Sequence, residues 1–127
     1  MHKEFWTIMI VIILIVGLDI ASNMYTSKVS QELTQELEQL KEVLFSKEED
    51  SIHEKEKEVQ EKWDQYHTLL AYYLEHDELE KVETELSVLK GKIEEKEYNN
   101  CLEEIETMTF ILSHIQEKEK FSFQSIF

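Results

Sequence analysis

An all-α chain is what this sequence predicts: a single N-terminal membrane-spanning helix running into an antiparallel bundle of three to four helices. Proline is absent and the only glycines are Gly17 and Gly91; sheets depend on such turn residues, whereas helices do without them. Apolar residues outside the first segment recur at helical spacing in four blocks, each needing another to bury its stripe. The first segment is apolar nearly all round, the mark of a helix in lipid.

The reading divides the chain into a short cytoplasmic N-terminus (1–4), a transmembrane anchor (5–25) and an extracytoplasmic helical bundle (26–127). Phe5 to Leu18 is apolar apart from Thr7, and Ile20, Ala21, Met24 and Tyr25 carry the pattern past Asp19. At about 1.5 Å per residue the 21 positions from Phe5 to Tyr25 cover the roughly 30 Å hydrocarbon core. Signal-peptide cleavage needs small residues at two pocket positions. A cut after Ala21 places Asp19 in one pocket and a cut after Ser22 places Ile20 there, so the anchor is expected to stay. Lys3 precedes the span and the next basic residue is Lys28. The positive-inside rule then sets the N-terminus in the cytoplasm and the bundle outside, making a single-pass protein of the cell membrane. Only Met1 to Glu4 remain inside, which disfavours a stand-alone transmembrane sensor. Asp19 reads either as an interfacial carboxylate reaching water or as a contact with a partner helix.

The first stripe is Val29, Leu33, Leu37, Leu40 and Leu44, continuous with the span. Ser46 to Glu58 has no apolar position except Ile52 and is expected to hold a turn and a solvated helix start. The second stripe is Val59, Trp63, Tyr66, Leu70 and Tyr73, with Leu74 beside them; the third is Leu79, Val82, Leu86, Leu89 and Ile93; the fourth is Leu102, Ile105, Met108, Leu112 and Ile115. Asp77 with Glu80 reads as a capping box opening the third helix, and Asn99 or Asn100 as the cap of the fourth. Short connections make neighbours antiparallel.

Composition excludes more than it names. The net charge is −15 and all 13 basic residues are lysines, which argues against nucleic acid, since that binding needs basic patches and usually arginine's fork. There is no glycine-rich phosphate loop, paired-cysteine motif or nucleophile elbow. "HEKEK" (His53 to Lys57) lacks the second histidine of a zinc-protease helix. No enzyme activity and no cofactor is therefore expected. Cys101 stands alone and reads as a small core residue; Trp63, Tyr66 and Tyr73 read as packing. An antiparallel third and fourth helix would bring His76, Asp77 and Glu78 toward His114 and Glu117, with His76, Asp77 and His114 the candidate metal set, although Asp77 as a cap and the histidines as hydrogen-bonding groups account for the same residues. The tail "KFSFQSIF" carries Phe121, Phe123, Ile126 and Phe127, candidates either for folding back or for docking to a partner protein or second copy.

The short N-terminal span, Trp63 followed by "YYLEHDELEKVE", then "EYNNCLEEIE" and the ending "HIQEKEKFSFQSIF" together resemble a bacterial family of short, N-terminally anchored helical proteins from spore-forming Gram-positive bacteria, known as a domain of unknown function. The likeness covers nearly the whole chain. Cys101 stands where alanine is more usual in that pattern. The resemblance implies an anchored helical ectodomain and no catalytic residues. The expected function is a membrane-anchored accessory or interaction module, embedded in the bilayer through 5–25 and acting with another membrane protein or by self-association. The alternative is an extracytoplasmic metal- or ligand-binding domain.

Overall fold

A computed structural model describes the backbone of residues 2–126 and the side chains of 2–120. Within them lie four helices: α1 (His2–Ser46), α2 (Glu49–Leu70), α3 (His76–Glu94) and α4 (Tyr98–Ile126). The apolar N-terminal stretch and the first bundle helix are one helix, as expected from the lack of any breaker between them. In the bundle α1 packs on α2 and α4, and α3 packs on the same two, so the helices occupy the corners of a four-sided bundle. Short connections make successive helices antiparallel, and cross-links hold α1 antiparallel to α4 and tie α1 to α2 and α3 to α4. Ser30 Oγ donates to the Leu112 carbonyl at 3.1 Å and Lys41 Nζ meets Glu106 at 3.0 Å. Lys55 Nζ, on α2, reaches Glu36 of α1 at 2.6 Å, while Lys92 and Glu104 join α3 to α4 at 3.4 Å.

The four predicted stripes form the core. Leu37, Leu40, Ile52, Leu89 and Ile105 are fully enclosed, and burial of each such side chain is worth about 2 kcal/mol. Cys101 is equally buried and Leu102 only half so, a rotation of the fourth stripe toward the cysteine. Five polar residues are buried with the stripes: Thr26, Ser30, Glu56, Glu78 and Glu104.

The helix ends differ from those predicted. α1 ends at a turn where Lys47 takes φ 58°, and α2 starts at Glu49. Ile52 at its first turns is in the core with Glu56 beneath it, so the expected solvated start is an inward-facing one. α2 stops at Leu70; Tyr73 and Leu74 belong to the connection rather than to the helix. Glu75 occupies the N-cap of α3 without a side-chain cap bond, placing Asp77 inside the first turn instead of at the cap. α3 closes with Lys96 at φ 62°, its N–H on the Ile93 carbonyl and the Glu97 N–H on the Lys92 carbonyl, the paired bonds of a Schellman stop. α4 then begins at Tyr98, so Asn99 and Asn100 lie in its first turn, and Asn100 Nδ2 bonds Glu97 at 3.3 Å.

Candidate functional site

Chemistry-bearing groups gather at one end of the bundle, where α1 leaves its apolar stretch, α2 turns into α3, and α4 descends. The turn fixes Tyr73 against α1: its hydroxyl lies 2.7 Å from Thr26 Oγ1 and donates to the Ser22 carbonyl at 3.2 Å. Burial raises the Tyr73 phenol above its ordinary value, with the Thr26 hydrogen bond opposing the shift. Tyr25 meets Tyr66 edge to face, centroids 6.2 Å apart. Asp19 is half-buried, and Ser22 Oγ donates to its carbonyl at 3.0 Å. Between the outer end of the apolar stretch and the turn lies a groove of about 390 Å³ whose walls include Leu18, Asp19 and Ser22 on one side and Leu69 and Tyr72 on the other.

A second groove, about 200 Å³, lies between the start of α3 and α4. Lys118 Nζ donates there to Glu75 Oε2 and Glu78 Oε1, both at 3.2 Å; these hydrogen bonds raise the Lys118 ammonium's pKa, the one to Glu75 most. The Glu78 side chain is only 8% exposed, and its other oxygen is buried without a partner. Glu119 is pushed up by burial and then by the negative charge of Asp19.

The start of α3 does lie beside the end of α4, as the hairpin requires, but the metal candidates do not converge there. His76 is 84% exposed and its Nε2 stands 3.8 Å from Glu80. Asp77 is exposed. His114 stacks on exposed Phe110 at 6.4 Å. Among the described residues no group of three or more His, Cys, Asp or Glu is placed to hold a metal. Helical phase is the reason: Leu79 and Glu78 face inward, which turns His76 and Asp77 outward. Cys101 is buried and its thiol pushed up by burial, an inert setting. Phe121, Phe123 and Ile126 fall on the last two turns of α4 and Phe127 beyond them; their side chains lie outside the described residues.

Reading by apolar spacing missed Thr26, Glu75 and Lys118, and placed Glu78 among the metal candidates rather than in the seam. Three of the four carry a usable signal. Thr26 precedes Val29 by three and Leu33 by seven, Glu78 precedes Val82 by four, and Lys118 follows Ile115 by three, so each extends a stripe or borders one. A family model described as "Domain of unknown function (DUF4363)" matches residues 20–126, beginning where the apolar stretch of α1 ends. No curated protein and no solved structure matches the chain.

Proposed function

We propose that this chain, which belongs to the DUF4363 family, is a membrane-anchored accessory module: α1 crosses the bilayer and holds an acidic four-helix bundle on the extracytoplasmic side, against another membrane protein or a second copy. The observation that carries the reading is the apolar window of α1. It is long enough to span, and none of it is buried by the rest of the described residues, which leave Phe5, Trp6 and the Ile8–Ile15 run exposed. A bilayer removes that cost, at about 25 cal/mol per Å² of apolar surface. The hydroxyl of Thr7 bonds the Lys3 carbonyl at 2.8 Å, so the polar side chain within the run is satisfied inside the helix. Rigid continuity from span to bundle gives the module a fixed height above the membrane, and Asp19 and the α4 tail (Phe121 to Phe127) are the contacts we assign to the partner.

Crosslinking in cells followed by recovery of the full-length chain tests the reading, with Asp19→Leu and deletion of 121–127 as variants. A specific membrane protein recovered by the parent and lost in either variant is the expected result. Recovery of the chain in the soluble fraction, or with no crosslinked species at all, would overturn it.

A further inference from the structure

We propose that the α2–α3 connection is itself a lipid contact: Leu69 and Tyr72 enter the headgroup boundary of the outer leaflet, and a phospholipid fills the groove between them and α1. The inference rests on the anchored reading above and deepens it.

Four observations converge. The bundle has two kinds of end. The α1–α2 and α3–α4 connections, far from the span, are charged: Lys47 and Glu48 in one, Glu95, Lys96 and Glu97 in the other. The connection beside the span carries one charge, Glu75 at its far end; the stretch before it, Thr68 to Leu74, reads TLLAYYL, seven uncharged residues in a chain 32% charged. Within it Tyr72 is 83% exposed and Leu69 48%, large apolar surface that the described residues leave uncovered.

Height agrees. The groove's α1 wall includes Leu18, Asp19, Ala21, Ser22 and Tyr25, so the lipid shares Asp19 with the partner protein proposed above. From Trp6 to Tyr25 the helix rises about 29 Å, close to the hydrocarbon thickness with an aromatic at each boundary. Leu69 and Tyr72 line the groove opposite Leu18 to Ser22, which is at or below the level of Tyr25. A span seated by Trp6 and Tyr25 therefore carries the connection into the interface.

The backbone is prepared for that setting. Ala71, Tyr72, Tyr73 and Leu74 all donate their N–H groups to carbonyls of His67, Leu69 and Leu70, so this stretch brings no orphan donor into a poorly hydrated layer. Tyrosine suits the boundary, its ring facing acyl chains and its hydroxyl facing water. Continuity with the lipid-facing side of α1 selects the occupant: the groove opens from the same surface that the bilayer covers.

The test uses the full chain with Cys101→Ala, reconstituted in phosphatidylcholine/phosphatidylglycerol nanodiscs at one chain per disc. Single cysteines at Leu14, Tyr72 and Phe45 carry a bimane label, quenched by lipids bearing a nitroxide near the headgroup or along the acyl chain. Phe45 is exposed at the far end of the bundle, about 40 Å along the helix from Leu18. The expected result is quenching at Leu14 and Tyr72 at least threefold above that at Phe45, with Tyr72 quenched best by the headgroup nitroxide. Quenching at Leu14 with Tyr72 no different from Phe45 would overturn the lipid contact while leaving the anchor intact, and would return the groove to a protein partner. Quenching at none of the three would overturn the anchor and this inference together.

Discussion

The Thr26–Tyr73 pair fastens the α2–α3 connection to α1 just above the apolar stretch, and its removal has a calculable effect. Tyr73→Phe deletes one 2.7 Å contact and one 3.2 Å donation. A hydrogen bond contributes about 1 kcal/mol net, and a buried group left alone costs about 1–3 kcal/mol. The Ser22 carbonyl does not become an orphan, because the helix's own ladder still reaches it. The Thr26 hydroxyl, 2% exposed, can turn to the same carbonyl four residues back, which offsets part of the loss. The sum is about 1–2 kcal/mol, or roughly 4–12 °C in midpoint for a domain of this size. Thr26→Val in the Tyr73→Phe background should add little, since both partners are then apolar; the double-mutant cycle should give a coupling of about 1 kcal/mol. Thermal unfolding of the full chain in detergent, followed by the fluorescence of buried Trp63 in a Trp6→Phe background, reads all four corners. Additive losses, or a Tyr73→Phe variant as stable as the parent, would refute the assignment of this pair as the fastening.

Four further outcomes follow from the geometry. Ile52→Ala should cost about 3 kcal/mol by denaturant unfolding, because Ile52 is fully enclosed; a solvated start to α2 would make it silent. Lys47→Gly should stabilise by about 0.5–1 kcal/mol, since a left-handed lysine at φ 58° is strained where glycine is not. Asp77→Ala should move the melting midpoint by less than about 2 °C, because Asp77 makes no cap. Glu119→Gln should show a pH signature. Burial, then Asp19, raises the folded-state pKa of Glu119, so the parent loses stability as pH climbs from the ordinary carboxylate range through that raised value. The glutamine variant escapes that loss, becoming more stable near neutrality by about 0.5 kcal/mol, a figure kept small by solvent screening, and equal to the parent below pH 4. A melting series from pH 4 to 8 checks the crossing.

How much of this was legible beforehand depends on the kind of signal. Apolar spacing located the four stripes because Leu, Ile and Val at three- and four-residue intervals have one solution, a buried seam. The same method passed over Glu56, Glu78 and Glu104, which occupy seam positions yet count as polar. It also stopped short at Ile52, whose neighbours are all polar. Helix ends were the weakest part. Asp77 and the Asn99–Asn100 pair have capping side chains, but the backbone turned two to four residues earlier, at Glu75 and at Lys96, where the packing of Leu74 in one and the Schellman bonds and Ile93 in the other outweigh a cap worth about 1 kcal/mol. The candidate metal set failed for a related reason: sequence puts His76, Asp77 and His114 at the same height, but only helical phase says which way each points.

In the proposed arrangement α1 holds the four-helix bundle outside the cell membrane. Labelling of Phe45→Cys, in a Cys101→Ala background, by a membrane-impermeant maleimide in intact cells tests it most directly. Full labelling without lysis is expected, on a chain that stays in the membrane fraction after alkaline carbonate. Labelling only after lysis, or release of the chain by carbonate, would contradict it.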